Sequence, residues 1–181
     1  MYIEKDKFIT VFNEMSDENS RPELPLWNEL PDIDLYMDQV ISIIAKYTVK
    51  GGLTPAMVNN YVKLGTIPAP IRKKYSKSHL AYLLMVCTLK QTLDMATIQK
   101  IIPIGLSDAD IEYIYNSFVK NQDKAYSYVT ENVLDVAIPI FEKEGGNQER
   151  LNDLLLQVAS AANIFKLLTE RLSTCRTDDA K

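Results

Sequence analysis

Residues 53–102 read LTPAMVNNYVKLGTIPAPIRKKYSKSHLAYLLMVCTLKQTLDMATIQKII, and this stretch decides the fold. It opens with Thr54 and Pro55, a residue that can cap a helix followed by a proline at the first helical position. Gly65 is a typical residue to follow the end of a helix. The stretch therefore begins with a short helix between Thr54 and Gly65.

The middle of the same stretch is predicted to leave the helical conformation and then return to it. In IPAP at 67–70 each proline favours an extended conformation for the residue before it, and IRKKY at 71–75 continues this extended pattern. Ser76 can cap a strongly apolar helix over 77–92, and Asp94 can begin another short helix. The order is a short helix, a basic loop, a long helix and a short helix.

The region before this stretch contributes two more helices. Apolar spacing predicts one over 5–15 and another over 35–45. Between them lies SDENSRPELPLWNELPD at 16–32, in which three prolines interrupt any regular element. This segment is too apolar for a free linker, so we interpret it as an ordered strap with Trp27 as its anchor.

Charge is distributed very unevenly along the chain. No Asp or Glu occurs from position 39 to position 93, which we call the acid-free stretch, although the whole chain has a net charge of −4. The stretch contains eight cations: Lys46, Lys50, Lys63, Arg72, Lys73, Lys74, Lys77 and Lys90. The rest of the chain has 12 cations and 24 acids. A local positive field on an acidic protein is typical of a surface that binds a polyanion.

The ordered elements resemble the winged helix-turn-helix of MerR-like transcription regulators. Three segments carry the resemblance: KLGTIP at 63–68, RKKYS at 72–76 and LDM at 93–95. The wider pattern, with LPLWNELPDIDLYMDQV at 24–40, resembles a bacterial family described only as MerR-like and of unknown function. The resemblance implies an all-α fold, with a winged helix-turn-helix over 35–104 and a C-terminal helical bundle or dimerisation region.

The sequence departs from that family at three points. Asn59, Asn60 and Tyr61 stand where the family usually has Arg-Tyr-Tyr, and the basic loop is short and lacks a central glycine. The turn between the first two helices is two or three residues longer, through 50–52. These differences bear on which DNA sequence would be bound.

The resemblance implies a duplex DNA partner and a set of contact residues. Asn59 and Asn60 are predicted base readers on the recognition helix, since asparagine can bind adenine through two hydrogen bonds. The predicted phosphate contacts come from the recognition helix and the basic loop: Tyr61, Lys63, Arg72, Lys73, Lys74, Tyr75 and Lys77. The alternative is an interaction adaptor, whose degenerate winged helix would bind a protein instead of DNA.

The C-terminal part is predicted to contain helices over 108–120, 123–143 and 147–176. The last has a heptad seam: Leu151, Leu154, Val158, Ala161, Phe165, Leu168 and Leu172. This seam could pack within a bundle or form a homodimer, and two-fold DNA recognition favours the homodimer. The predicted parts of the chain are thus an N-terminal helix and strap over 1–34, the winged helix-turn-helix over 35–104 and a helical region over 105–181.

Other functional classes find little support in the sequence. One histidine and two distant cysteines, Cys87 and Cys175, make a metal site improbable, and no nucleotide-binding or nucleophile motif occurs. No run approaches the length of a membrane span, and the charged start is unlike a secretory signal. We therefore predict a cytoplasmic, non-enzymatic regulator without a cofactor or membrane partner, and no effector ligand is indicated.

Overall fold

A computed structural model of the chain describes residues 5–17, 23–48, 52–142 and 148–175. Its regular elements are helices: α1 Lys5–Ser16, α2 Met37–Ile44, α3 Pro55–Lys63, α4 Lys77–Leu89, α5 Met95–Ile101, α6 Asp108–Glu142 and α7 Gln148–Ser173. Extended pairing within the described ranges is limited to two isolated antiparallel bridges. The predicted all-α class is confirmed.

The chain divides into two compact units. The core unit comprises Pro22–Lys120 and Thr169–Lys181, and the helical unit comprises Met1–Arg21 and Asn121–Leu168. The acid-free stretch and all the predicted DNA contacts belong to the core unit. The three-part division predicted from the sequence stays a prediction.

Helix α4 lies at the centre of the core unit. All of its residues from His79 to Cys87 are buried, because its apolar side chains cover every face of the helix. Helix α2 packs against both α3 and α4. Since α2 contacts both helices, it links the candidate recognition helix to the core.

The described part of the predicted strap, residues 23–32, lies on the core. Trp27 is buried, its backbone N–H donates to Asn116 Oδ1 at 3.0 Å, and its ring packs near that of Tyr115. The Tyr115 hydroxyl donates to the Pro25 carbonyl at 2.7 Å. These contacts confirm Trp27 as an anchor of the strap.

Helix α6 corrects one prediction. We expected separate helices over 108–120 and 123–143, but a single helix runs over Asp108–Glu142. Ser107 caps the start of α6, since its hydroxyl accepts from the Asp110 N–H at 3.2 Å. The expected break fell at residues 121 and 122, Asn and Gln, neither of which prevents a helix from continuing.

The heptad seam of α7 is buried only at its first two positions, Leu151 and Leu154. Of the later seam positions, Ala161 is half-buried and the others are exposed, with Val158 at 39%, Leu168 at 49% and Leu172 at 60%. The helix matches the predicted range of 147–176 closely.

No helix in the described residues is both long enough and apolar enough to cross a membrane.

Candidate nucleic-acid interface

Helix α3 begins and ends as the sequence predicts. The Thr54 hydroxyl caps it by accepting from the Met57 N–H at 3.3 Å, and Pro55 occupies the first position. Gly65 follows the helix with φ +67°, in the left-handed region that glycine adopts without strain. The boundaries of the candidate recognition helix are therefore set by local sequence.

The two faces of α3 differ in chemistry. Val58 and Tyr61 are buried, and they lie three residues apart on one side of the helix. Asn59, Asn60 and Lys63 are exposed. The structure thus brings three predicted contact residues together on the solvent-facing side of one helix.

Tyr61 does not belong to that exposed set. Only 3% of it is exposed, and the Lys90 ammonium lies 5.6 Å from the centre of its ring. Packing on the side of Val58 removes the Tyr61 ring from the surface, while its predicted phosphate contact stays a prediction. Sequence periodicity already places Tyr61 one turn from Val58.

The end of α3 is fixed by a residue that the sequence did not single out. The Gln99 side-chain amide, on α5, donates to the Leu64 carbonyl at 2.5 Å and to the Thr66 hydroxyl at 3.2 Å. The Thr66 N–H donates to the Tyr61 carbonyl at 2.8 Å. The bonds to Leu64 and Tyr61 satisfy carbonyl groups that the helix itself leaves without partners.

The basic segment, residues 71–75, is a tight turn and not the continuous extended segment that we expected. Ile71 and Lys74 exchange backbone hydrogen bonds of 3.0 and 2.9 Å. Arg72 and Lys73 occupy the turn between them, with φ values of 52° and 64°. Two consecutive left-handed residues give the turn that best matches the twist of a hairpin. Both side chains are exposed, so the turn presents two neighbouring cations to solvent.

Tyr75 belongs to the core as well. It exchanges backbone hydrogen bonds of 2.9 Å with Leu35, and 2% of it is exposed. Burial raises the pKa of its phenol. Its predicted phosphate contact stays a prediction, and its backbone pairing attaches the basic segment to the residues before α2. This pairing also explains why α2 begins at Met37, after the predicted start near Leu35.

Lys74 and Lys77 are engaged by neighbouring side chains. The Lys74 ammonium lies 3.9 Å from Asp34 Oδ2 and 5.9 Å from the centre of the Tyr36 ring. The Lys77 ammonium lies 5.2 Å from the centre of the Trp27 ring. Both cations were predicted phosphate contacts, and both are half-buried, unlike Arg72 and Lys73.

His79 connects the two ends of the loop that contains the basic segment. Its Nδ1 accepts from the Ser76 N–H at 3.1 Å and lies 2.8 Å from the Ser76 hydroxyl oxygen. Its Nε2 lies 3.3 Å from the Ala69 carbonyl oxygen. Desolvation lowers the pKa of His79, although the Ala69 carbonyl and the charge of Asp34 act in the opposite direction. His79 thus caps α4 and is buried.

Other reactive groups in the described residues are dispersed. Cys87 is buried and Cys175 is exposed, and both are free thiols. Burial raises the pKa of Cys87. No group of three or more His, Cys, Asp or Glu side chains in the described part of the chain is placed to hold a metal ion.

Comparison with known proteins gives one match. Residues 25–128 match the family model described as Domain of unknown function (DUF1836). This range includes residues 25–32 of the strap, α2 to α5 and the basic segment. No curated protein and no solved structure matches the chain.

Proposed function

The chain belongs to the DUF1836 family, and from this premise we propose that it binds double-stranded DNA to control transcription. In this proposal α2 and α3 form a helix-turn-helix, α3 enters the major groove, and the basic segment is a wing that contacts the DNA backbone. We further propose that the protein is a cytoplasmic, non-enzymatic regulator without a cofactor.

The exposed face of α3 is the observation that carries the proposal. Asn59, Asn60 and Lys63 are exposed there, and the whole helix lacks acidic residues. Amide groups can both donate to and accept from base edges, and an ammonium group can bind phosphate. The buried side of the helix holds this surface in a fixed orientation through Val58 and Tyr61.

The basic segment supplies the electrostatic part. Arg72 and Lys73 are exposed on a two-residue turn, whereas Lys74 has Asp34 as a partner. We therefore assign the phosphate contacts of the wing to Arg72 and Lys73, with Lys74 and Lys77 as positioning residues. Each phosphate contact releases counterions, so binding would depend strongly on salt.

We propose a homodimer that forms along α7. Its seam is exposed at Val158, Leu168 and Leu172, and the heptad spacing of these positions suits a neighbouring helix. Two copies would place two α3 helices on two half-sites, as symmetric DNA-binding proteins do.

A second candidate function is a protein-interaction adaptor. Three large apolar residues near the basic segment are exposed: Ile33 at 65%, Tyr36 at 55% and Ile71 at 74%. Ile71 pairs with Lys74 through backbone hydrogen bonds, and the Lys74 ammonium lies 5.9 Å from the centre of the Tyr36 ring, so two of the three adjoin one residue. Exposed apolar residues grouped in this way favour a protein partner over DNA.

The salt dependence of duplex binding tests the first proposal. Arg72→Ala/Lys73→Ala should reduce the slope of log affinity against log salt concentration by about two, one for each lost phosphate contact. The matched control is Lys120→Ala/Lys124→Ala, which removes the same charge from exposed positions on α6 and should keep the slope. An unchanged slope in the first variant would exclude the basic segment from the interface, and no duplex binding by the wild type would favour the adaptor.

A further inference from the structure

We infer that α3 recognises an adenine–thymine base pair, with Ala56 contacting the thymine and Asn59 or Asn60 contacting the adenine. This inference rests on the proposed DNA binding and names the base pair that the same helix would select. It adds Ala56, on the exposed side of α3, to the residues that determine specificity.

The position of Ala56 follows from helix geometry. Successive residues turn by about 100°, so Ala56 lies about 160° from Val58, almost opposite the buried side. Asn59 and Asn60 follow it by three and four residues and therefore flank it on the same face. All three are exposed, whereas Val58 is fully buried. The outer face of α3 thus begins with one methyl group between two amides.

The chemistry of these three side chains fits adenine and thymine. In the major groove, adenine offers N7 as an acceptor and N6 as a donor, which one asparagine amide can satisfy together. Thymine carries a C5 methyl group that an alanine methyl can contact. A methyl group beside amides therefore matches the two halves of one base pair.

The same face is poorly suited to a guanine–cytosine pair. Guanine is usually read by arginine or lysine, and cytosine by a carboxylate. Helix α3 has no arginine and no acid, and its one lysine, Lys63, is its last residue. Base contacts in a helix-turn-helix come mainly from the N-terminal part of the recognition helix. Lys63 is consequently placed for phosphate.

Selection of bound duplexes from a random pool tests the inference. The wild type should enrich sequences with an adenine–thymine pair at one fixed position. Asn59→Ala/Asn60→Ala should lose this preference. It should bind the selected site roughly 5- to 150-fold more weakly, which is the range expected when an asparagine that binds one base through two hydrogen bonds is removed. Its binding to unselected duplex should not change, since no charge is lost. The matched control, Asn13→Ala, alters an exposed asparagine of α1 and should behave as the wild type.

Replacing the selected thymine by uracil tests Ala56 separately, since uracil lacks only the C5 methyl group. The wild type should bind the uracil duplex about 4-fold more weakly, the effect of one buried methyl group. Ala56→Gly should bind both duplexes equally. Circular dichroism and the thermal midpoint should show that each variant is folded.

Three outcomes would overturn the inference. A selected guanine–cytosine pair that depends on Lys63, or an adenine–thymine preference that survives the double asparagine variant, would do so while leaving DNA binding in place. Equal loss on the uracil duplex in wild type and Ala56→Gly would remove Ala56 from the interface. Failure of the wild type to bind any duplex would overturn the proposed function itself.

Discussion

Helices α4 and α7 are both rich in apolar residues, but they bury them in different ways. In α4 every residue from His79 to Cys87 is buried. In α7 Leu151 and Leu154 are buried, while eight large apolar residues are exposed: Leu155, Leu156, Val158, Ile164, Phe165, Leu167, Leu168 and Leu172. The two helices thus have similar side chains and opposite exposure.

The spacing of the apolar residues explains this difference. The apolar residues of α4 run without a period from Leu80 to Cys87, which suits a helix enclosed by other elements. Those of α7 include a seam with a repeat of 3.5 residues, which suits contact with one neighbouring helix. A continuous run therefore indicates the centre of a core, whereas a heptad seam indicates a face that needs a helical partner.

Truncation of one leucine in each helix should give the largest contrast. Leu84→Ala should lower the free energy of unfolding by about 2–5 kcal/mol, because it leaves a cavity at a fully buried position. Leu156→Ala, at a position 66% exposed, should change it by less than about 0.5 kcal/mol. Urea denaturation monitored by circular dichroism measures both. Similar losses in the two variants would contradict the difference in burial.

A charge on the seam should separate the subunits of the proposed homodimer without unfolding them. Leu168→Asp should give a folded monomer, since a carboxylate in an apolar helix interface costs more free energy than the interface can recover. Light scattering gives the mass, and circular dichroism gives the fold. The matched control is Leu156→Asp, which lies off the heptad positions and should leave the dimer intact. An unfolded Leu168→Asp protein would show instead that the seam packs within one chain.

Local signals in the sequence were sufficient to predict where several of the helices begin or end. Thr54, Pro55 and Gly65 mark the ends of α3, and Ser76 and Asp94 mark the starts of α4 and α5, as the structure confirms. These residues act through backbone geometry and hydrogen bonds to residues at most four positions away. Such effects do not depend on the rest of the fold, so the sequence alone reveals them.

Tertiary packing determines which predicted contact residues are exposed, and the sequence alone did not reveal this. Tyr61 and Tyr75 have hydroxyl groups that suit phosphate, yet both rings are buried. Lys74 and Lys77 are basic, but their neighbours Asp34 and Trp27 come from the residues before α2. A tyrosine or lysine side chain can be exposed or partly buried, so the position of the residue in the sequence does not determine its exposure. These four predicted contact residues are accordingly less exposed than Arg72 and Lys73.

Acid should lower the free energy of unfolding of the core unit through protonation of His79, the only histidine of the chain. Its pKa is lowered by burial, so the unfolded chain binds a proton more readily. The contribution of neutral His79 to the free energy of unfolding is fully present above the ordinary histidine pKa of about 6.5. It is lost as the pH falls through the lower pKa that His79 has in the folded protein. Unfolding measured at pH 7 and pH 5 should show this loss.

His79→Gln is the variant that isolates this titration. A glutamine at this position can accept from the Ser76 N–H, as Gln39 does from the Tyr36 N–H at 2.8 Å. The variant should therefore keep the cap of α4 and lose less stability than the wild type between pH 7 and pH 5. An equal loss in both proteins would assign the acid sensitivity to carboxylates elsewhere.

The smallest expected effect concerns the turn of the basic segment, where an exposed part of the core unit adopts a costly backbone conformation. Arg72 and Lys73 both have positive φ, which costs a residue with a side chain roughly 1–2 kcal/mol. Lys73→Gly would remove that cost at one position, and the greater freedom of glycine in the unfolded chain would offset roughly 0.5–1 kcal/mol. A net gain of about 0.5 kcal/mol in the free energy of unfolding should follow. If Lys73 makes the proposed phosphate contact, the variant should also bind duplex DNA more weakly. Opposite changes in stability and binding would indicate that the cation at this position serves DNA binding at a cost in stability. A variant that is less stable than the wild type would show that Lys73 contributes packing to the fold.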